Sequence, residues 1–584
     1  MNSEILHRKN NCLKGLRKRL RSVPQIVILL LLSLLIGMFI LYPFIMLVMK
    51  SFGLSLDGGE FSLEAYKRII KDRYNYRALN NTIYVASGVT VLTSILGGGL
   101  GWIVTRTDYA YKKFTKRLVF LSFIIPSYII AISWIEFFGR NGYLSRIIYN
   151  MFGLSNYKAL PYSLEAVILV MSIHLYPLVF MAITNALEKM DFTLEDAAVI
   201  SGASRLKAVI TITLPLMIPS FFSIGLLVFS RTIANFGVPA ALALPIGKEV
   251  LTTRIYSSLT NLDFELVTSL SIVLVVISGL IFSLSNIALK KRGFITITGN
   301  SKKTKEIQLG RYKMPLSICV FVFHTITTII PLITILTASV LKRWGLSFEI
   351  KHLTLNNYLL LFKHKTIVRA FGNSIFYGLM AATIAACIGV CVSYISDKTN
   401  VKGKKILEFI TAWPMSFPNI VLAVAATLAW MKPPLKLYGT EWIIIVTYIS
   451  LFIPISIKNI SGLMQNQHIS LERAARISGA SRIKGFMDIT FPLIFPGIRS
   501  GWILGFLIAL REIPMSLLLY SAGQETIGVM LFGIQSNTYG LEMTSTLAIV
   551  IIALTAIGNI LIKKIGDFKR GGGVNNTGRG YRAG

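Results

Sequence analysis

One polar segment, with charged and small residues at fixed spacing, occurs twice in an otherwise apolar chain. The first copy, residues 194–205, carries Glu195, Asp196, Ala197, Ala198 and Gly202. The second copy, residues 471–482, carries Glu472, Ala474, Ala475 and Gly479. Extended to Pro219 and Pro496, the copies match at 16 of 26 positions without a gap, at an offset of 277. Because a loop without a functional constraint would not retain this sequence identity, both copies are predicted to have the same function.

The residue types predict a short helix that a second protein can approach closely. Thr193 and Ser470 suit the N-cap, and the glutamates then fall in the first turn, where a carboxylate favours the helix dipole. The paired alanines leave one face nearly free of side chains, and the glycines end the helix with a turn. A second short helix is expected to end at Pro215 or Pro492, where the chain enters the membrane. A generic amphipathic loop is the alternative.

Motifs of catalysis and of nucleotide or metal binding do not occur in the sequence. There is no Gly-x-x-x-x-Gly-Lys-Ser/Thr loop for phosphates, no His-Glu-x-x-His and no Gly-x-Ser-x-Gly. The cysteines, at positions 12, 319, 387 and 391, lack zinc-type spacing. We therefore predict no catalytic residue, no metal site and no bound cofactor.

Four polar residues fall inside or at the ends of two predicted spans. They are Arg231, Asn235, Arg511 and Glu512, and Asn235 aligns with Glu512 at the offset of 277. Ionisable groups within a span are costly, so they commonly face a water-filled path or a partner. One interpretation is that they line a translocation path or its outer gate, where an arginine pair would suit an anionic or anion-chelated substrate. The other is an internal Arg–Glu pair that only fixes helix packing, or side chains that reach the membrane interface.

The elements around these residues are predicted to be membrane helices. The chain has 584 residues, of which 54% are hydrophobic and 15% charged, and its mean hydropathy is +0.65. Apolar runs of about 18 or more residues recur and do not alternate, which favours helices over a closed β-barrel. About twelve spans are expected, including spans at residues 118–138 and 406–430, in which Pro126 and Pro418 mark paired kinks. The predicted fold is an all-α integral membrane protein.

The chain divides into two six-span halves with the same topology. Asn81-Thr82 aligns with Asn373-Ser374 at an offset of 292, as does Pro126 with Pro418. Since the offset later falls to 277, the first half has 15 more residues between spans three and four. Parallel repeats predict halves related by an axis along the membrane normal. The predicted division is a basic tail at 1–24, halves at 25–289 and 314–564, a flexible linker at 290–313 and a disordered tail at 565–584.

The net charge of +34 predicts an orientation in the membrane and not nucleic-acid binding. The basic residues cluster between the spans, where Lys and Arg hold loops on the cytoplasmic side. Twelve spans with both termini in the cytoplasm satisfy this rule at every loop. The lipid bilayer is therefore an expected partner, and nucleic acid is not.

The pattern Glu-x-Ala-Ala-x-x-x-Gly, followed about a dozen residues later by Leu-Pro or Phe-Pro, resembles the signature of binding-protein-dependent ABC importer permeases. The resemblance implies the type I permease fold, in which each short helix is a coupling helix that docks on an ATP-binding subunit. It also implies two copies of that subunit, ATP hydrolysis by them, an extracytoplasmic solute-binding protein and a bacterial plasma (inner) membrane. One departure is Arg473, which stands where the first half has Asp196, so the two docking sites are expected to differ in energy.

Four further stretches resemble the ferric-iron branch of this family, in which fused halves also occur. They are residues 234–242, 251–256, 510–512 and 525–529. This resemblance implies a ferric-iron substrate, with thiamine, phosphonate, polyamine or another small solute as alternatives. The rival from another class is a secondary transporter driven by an ion gradient. It also predicts parallel six-span halves, but it does not predict two matched Glu-Ala-Ala segments.

Overall fold

The structure, a computed structural model, describes residues 27, 29–55, 58–139, 142–153, 162–190, 192–290, 306–346, 349–399, 401–433, 435–467, 470–536 and 540–571. Within these ranges the regular secondary structure is helical, apart from two isolated β-bridges. The basic tail predicted at residues 1–24, residues 291–305 of the predicted linker and the tail from residue 572 lie outside the described residues.

The described helices fall into two series, one for each half. In the first half, α1 to α12 are Leu29–Ser51, Glu64–Lys71, Arg73–Arg106, Lys112–Ile124, Ser127–Phe138, Tyr143–Phe152, Leu164–Glu188, Thr193–Ile200, Arg205–Ile233, Gly237–Leu242, Leu251–Thr260 and Phe264–Lys290. In the second half, α13 to α23 are Gly310–Ser339, Asn356–Lys363, Lys365–Lys398, Lys404–Ser416, Asn419–Trp430, Glu441–Met464, Ser470–Ile477, Arg482–Leu510, Pro514–Leu519, Ile527–Ser536 and Leu541–Gly571. In this part of the chain, ten helices are long and apolar enough to cross a membrane, or up to twelve if each of two bent pairs is one span.

The two bent pairs lie at the spans predicted at residues 118–138 and 406–430, and the kinks predicted at Pro126 and Pro418 are full breaks between two helices. The axis turns by 97° between α4 and the segment after it, and by 114° between α16 and α17. The breaks fall at Pro126 and Pro418, which have extended ψ angles of 141° and 139°. Proline lacks the N–H of a continuing helix, and it forces the preceding residue out of the helical region.

Four helices contain a five-residue π turn that ends two residues before a proline. The turns are Gly37–Leu41, Val209–Thr213, Thr325–Ile329 and Phe486–Thr490, and the prolines are Pro43, Pro215, Pro331 and Pro492. A proline ring collides with the carbonyl four residues earlier, and the wider turn makes room for it. The predicted helix ends at Pro215 and Pro492 are therefore wrong, because α9 and α20 continue through them.

The halves match helix by helix, and the first span of each half packs against a helix of the other half. α3 packs along α7, and α15 packs along α18 in the same way. α6 has no counterpart, which accounts for most of the additional residues between spans three and four. α1 lies against α17 of the other half, where Phe44 stacks on Phe417 with ring centroids 5.1 Å apart, and α13 lies against α5. The largest hydrophobic core contains residues of both halves.

The last part of the predicted linker is fastened to the first half. The Ile307 N–H donates to the Arg106 carbonyl at 2.8 Å. The Asp108 carboxylate accepts the Leu309 N–H at 3.0 Å and the Lys313 ammonium at 3.2 Å. These two donors, the Leu309 N–H first, hold the pKa of the Asp108 carboxyl below its ordinary value. From Ile307 onward, the segment predicted as a flexible connection is therefore hydrogen-bonded to the first half.

α8 and α19 lie at the same end of the molecule, which we call the motif end. Arg106, at the end of α3, contacts α8 and also holds the segment before α13. α13 then runs to the opposite, far end, and α15 returns to bring Lys398 beside α19. α9 and α20 start at the motif end, so the short helices α10 and α21 that follow them lie at the far end.

Candidate functional site

The repeated polar segments form α8 and α19, two short helices with matching ends. Gly202 and Gly479 follow them with φ angles of +92° and +89°, a left-handed conformation that favours glycine. The predicted glycine turns are confirmed. The N-cap predicted at Thr193 is wrong by one residue, because Phe192 holds that position and Thr193 begins the helix. The residues directly before Ser470 lie outside the described ranges.

The carboxylate of Glu195 turns toward the membrane helices. It forms an ion pair with Arg106 of α3 and accepts a hydrogen bond from the Thr213 hydroxyl of α9. The Arg106 guanidinium also lies over the Phe192 ring, 3.7 Å from its centroid. Burial raises the pKa of the Glu195 carboxyl, and the Arg106 charge opposes that shift. One side chain thus fastens α8 to two membrane helices.

Glu472 makes the corresponding attachment with different partners. It accepts hydrogen bonds from the Thr490 hydroxyl of α20 and from the Tyr394 hydroxyl of α15, the latter at 3.2 Å. Lys398 stands at the position equivalent to the arginine of the first half, but it donates to the Gln467 carbonyl at 2.7 Å. Among the described residues, Glu472 has no ion-pair partner, so the second attachment rests on hydroxyl groups.

The outward surface of the motif end carries exposed apolar side chains. Ile200 and Ile477, the last residues of α8 and α19, are 86% and 88% exposed. Leu206 and Ile483 follow on the next helices and are 71% and 77% exposed. We call these four residues the apolar face of the motif end. They are absent from the predicted site, although their apolar character in both copies of a polar segment is a signal that could have found them.

The other predicted motif residues lie on or next to this apolar face. The exposed ones are Asp196, Ala197 and Gly202 in the first half and Ala474 and Gly479 in the second, whereas Ala198 and Ala475 are partly buried. Exposure therefore repeats position by position between the halves. Charge does not, since exposed Arg473 stands where the first half has Asp196, and exposed Arg476 follows it.

Asn235 and Glu512 hold equivalent helix caps at the far end. The Asn235 side-chain carbonyl accepts the Val238 N–H at 3.1 Å, at the start of α10. The Glu512 carboxylate accepts the N–H groups of Met515 and Ser516 at 3.0–3.1 Å, at the start of α21. Each side chain satisfies donors that a helix N-terminus leaves open. Glu512 is only 4% exposed.

The same two residues hold the helices that follow the broken spans. The Asn235 amide donates to the Ser127 hydroxyl of α5 at 3.1 Å. In the second half, the Asn419 amide of α17 donates to the Glu512 carboxylate at 3.2 Å. Each far-end turn is therefore tied to the helix directly behind a proline break.

An aromatic cluster at the far end joins the two halves. Phe532 of α22 belongs to the second half and reaches three rings of the first half. Its ring centroid lies 5.9 Å from that of Tyr128, 6.0 Å from Phe236 and 6.2 Å from Tyr256. Tyr128 and Phe236 are buried. The cluster closes the space between α5, α11 and α22.

Arg231, near the end of α9, and Arg511, directly after α20, are both exposed to solvent. Among the described residues, neither has a hydrogen-bond or ion-pair partner, so the Arg–Glu pair considered as an alternative is not formed there. Arg231 precedes Phe236 by five residues, so it lies on the motif-end side of the aromatic cluster.

Comparison with known protein families decides the class of the protein. The sequence model of the family described as "Binding-protein-dependent transport system inner membrane component" matches residues 93–291 and, a second time, residues 378–567. The chain belongs to this family. This permease is a multi-pass inner-membrane protein with the all-α type I importer fold, and its two parallel repeats are two fused copies of the family's unit.

Several relatives of this permease align with most or part of the chain. The ferric transport system permease protein FbpB of Actinobacillus pleuropneumoniae is 26% identical over 535 residues, which is 90% of this chain and 76% of that protein. The putative ferric transport system permease protein FbpB 1 of Haemophilus influenzae is 27% identical over 85% of this chain and 78% of its own length. The molybdenum transport system permease protein ModB of the same organism is 30% identical over 30% of this chain and 75% of its own length.

A solved structure also resembles part of this permease. It is a bacterial ABC transporter involved in the import of the acidic polysaccharide alginate. The match has a TM-score of 0.34 and 16% identity, and it covers 44% of this chain and 96% of the solved chain.

Proposed function

We propose that this permease forms the whole membrane pathway of an ABC importer and that α8 and α19 each dock one copy of a separate ATP-binding subunit. The observation that carries the proposal is the pair of exposed isoleucines, Ile200 and Ile477, at equivalent places on the two helices. Apolar side chains grouped on an exposed surface commonly mark a protein contact. The exposed Ala197 and Ala474 leave room for a partner's backbone.

Glu195 and Glu472, whose carboxylates point toward the membrane helices, then transmit the movement of α8 and α19 and do not contact the ATP-binding subunits. When the ATP-binding subunits close, they draw α8 and α19 together. Glu195 passes that movement to α3 and α9, and Glu472 passes it to α15 and α20. Gly202 and Gly479 set the angle between each docking helix and the span that follows it. ATP is hydrolysed by the partner subunits, so this chain itself performs no catalysis and binds no cofactor.

The motif end is proposed to face the cytoplasm, with both termini on that side. The basic loops between the spans support this orientation, because Lys and Arg are enriched in cytoplasmic loops. A solute-binding protein then delivers its cargo at the far end. The aromatic cluster around Phe532 would close the pathway there, and Arg231, Asn235, Arg511 and Glu512 would stand at or beside this gate.

Ferric iron is the proposed cargo. The two relatives named for ferric transport align with 90% and 85% of this chain, whereas the relative named for molybdenum transport aligns with 30%. The extent of these alignments favours iron over the other solutes. Identities of 26% and 27% are stronger evidence for the branch of the family than for the identity of the transported solute.

The docking proposal is tested by removing the apolar face without changing the membrane helices. Ile200→Glu and Ile477→Glu are purified with the ATP-binding subunit, and Ile200→Leu and Ile477→Leu serve as matched controls. We expect two bound copies in the controls, one in each single Glu variant and none in the double variant. Two bound copies in the double Glu variant would contradict the proposal. Uptake of radiolabelled iron by proteoliposomes that lack the ATP-binding subunit would exclude an ATP-driven importer.

A further inference from the structure

We propose that Asn81 and Thr82 in the first half, and Asn373 and Ser374 in the second, are positioning residues for the far-end closure, the aromatic cluster around Phe532. They make the closure move with the long helices α3 and α15. The inference rests on the proposed function, since it takes α8 and α19 as docking helices. It goes beyond that function by naming the side chains through which a movement of α3 and α15 reaches the closure.

In the first half, two neighbouring side chains of α3 bind the segment that leads into α11. The Asn81 amide donates to the Glu249 carbonyl at 2.8 Å. The Thr82 hydroxyl accepts the Leu251 N–H at 2.8 Å. Leu251 is the first residue of α11, and the first N–H groups of a helix have no partner within it. The start of α11 is therefore fixed to α3 through one donor and one acceptor.

The second half repeats this arrangement on α15 and α22. The Asn373 amide donates to the carbonyls of Gly523 and Glu525, both at 3.0 Å. The Ser374 hydroxyl accepts the N–H of Ile527, the first residue of α22, at 2.8 Å. Because α3 and α15 differ at most positions, the repetition of these contacts indicates a function common to both halves. We call each of these pairs of neighbouring side chains a far-end clamp.

The helices held by the far-end clamps carry rings of the closure. At an offset of 276, Leu251 aligns with Ile527 and Tyr256 aligns with Phe532, and α11 and α22 both have 10 residues. The ring centroids of Tyr256 and Phe532 lie 6.2 Å apart. Equivalent residues of two matching halves can touch each other only close to the axis that relates the halves. Both rings therefore lie at the centre of the molecule, where a pathway between the halves would run.

The opposite ends of α3 and α15 are attached to the docking helices. Arg106 of α3 forms its ion pair with Glu195 of α8, and the Tyr394 hydroxyl of α15 donates to Glu472 of α19 at 3.2 Å. Each long helix is continuous over 34 residues. From the far-end clamp to the docking-helix contact, α3 spans about 37 Å and α15 about 30 Å, at 1.5 Å per residue. A continuous helix carries a shift at one end to the other, so each far-end clamp converts movement of a docking helix into movement of one ring.

The experiment uses the complete importer, with its ATP-binding subunit and solute-binding protein, in lipid nanodiscs and proteoliposomes. The clamp variants are Asn81→Leu with Thr82→Val, Asn373→Leu with Ser374→Ala, and all four changes together. Thr82→Ser and Ser374→Thr are the conservative controls, because they exchange the residue types of the two halves and keep the hydroxyl. Thr90→Val controls for a lost hydroxyl, since the Thr90 hydroxyl donates to the Ala86 carbonyl of its own helix at 2.7 Å.

Two distances between spin labels report the movements, on a background in which the 4 native cysteines are replaced by alanine. Labels at Ile83→Cys and Ile375→Cys, two equivalent exposed positions, follow α3 and α15. Labels at Lys248→Cys and Ala522→Cys, exposed positions directly before the held segments, follow the closure. Electron paramagnetic resonance compares each distance in the nucleotide-free importer and in the importer trapped with ATP and vanadate.

We expect ATP to increase both distances in the parent protein and in the controls. In the clamp variants, the distance between the labels on α3 and α15 should still increase, whereas the distance across the closure should increase much less. Uptake for each ATP hydrolysed should fall about fivefold or more, because an uncharged hydrogen bond contributes roughly that factor. Thr82→Val and Ser374→Ala alone, which each remove one acceptor, give the same comparison if the paired changes lower the protein yield.

Three other results would overturn the inference. The distance across the closure could increase equally in the clamp variants and the parent, or uptake for each ATP could be unchanged when all four changes are combined. Either result would leave the importer proposal standing. Loss of both distance changes in the clamp variants would show that these residues stabilise the long helices and do not position the closure. If ATP leaves the distance between α3 and α15 unchanged in the parent protein, the proposed transmission from the docking helices itself is wrong.

Discussion

Arg106 and Glu195 join a short surface helix to a membrane helix through an almost enclosed ion pair, whereas the equivalent residues Lys398 and Glu472, both among the described residues, form no ion pair. The Arg106 side chain is 4% exposed and that of Glu195 is 12% exposed. The carbonyl of the same arginine accepts the Ile307 N–H from the connection between the halves. One residue therefore holds α8, the membrane helix α3 and the connecting segment together.

Removal of Arg106 should loosen α8. Arg106→Ala leaves the Glu195 carboxylate without its ion-pair partner, and breaking a buried pair in this way costs about 3 kcal/mol or more. We expect faster hydrogen exchange of the backbone amides in α8 and a lower yield of transport for each ATP hydrolysed. Lys398→Ala is the matched control, since Lys398 reaches only the Gln467 carbonyl and should affect α19 much less. Equal exchange in the two variants would show that the ion pair does not hold the helix.

Substitutions of the glycines after α8 and α19 should be destabilising because of the backbone conformation at these positions, and not because a side chain lacks room. A Cβ added at Gly202 or Gly479 would meet nothing within 4 Å, but both glycines have a positive φ. Gly202→Val should therefore cost about 1–2 kcal/mol through the backbone alone. Gly202→Asn should cost less, because Asn adopts this conformation more readily. The ratio of solute transported to ATP hydrolysed should fall in the order Gly, Asn, Val, and a Val variant with full coupling would refute this account.

Phe532 should keep the far end closed. Phe532→Ala removes its contacts with three aromatic rings, which together stabilise the closure by about 2 kcal/mol. We expect solute to leak across proteoliposomes without ATP. Phe532→Tyr keeps the ring and should stay closed. If proteoliposomes with Phe532→Ala leak no more solute than those with the parent protein, other residues must close the far end.

Asp108 should control the connection between the halves. Asp108→Asn removes the charge that attracts Lys313, so residues 306–313 should become more sensitive to limited proteolysis. The pKa of Asp108 is lowered in the folded protein. The stability that the ionised Asp108 carboxylate gives to this attachment is therefore fully present above the ordinary carboxyl pKa. It is lost as the pH falls through the lowered pKa. Acid should expose the same segment in the parent protein and change little in the Asn variant.

The short helices α8 and α19 could be predicted because a repeated polar segment stands out in an apolar chain. The direction of Glu195 could not, since its partner Arg106 is 89 residues away and only packing brings them together. The kinks at Pro126 and Pro418 could be predicted from the paired prolines. The full breaks could not, because the apolar run continues through each proline and a proline can bend a helix as well as break it. The continuation of α9 past Pro215 depends on a π turn, which changes hydrogen-bond register without a marked change in residue type.

The positions of Arg231 and Arg511 have a consequence for how such a permease can be built. A homodimer of one six-span subunit would present each arginine twice, in two symmetric places. One arginine from each half, at unequal positions, requires two different sequences in every assembled permease. Joining them in one polypeptide guarantees equal dosage of both and prevents the assembly of mismatched pairs. The fusion thereby lets the two halves evolve separately while they are always inherited and made together.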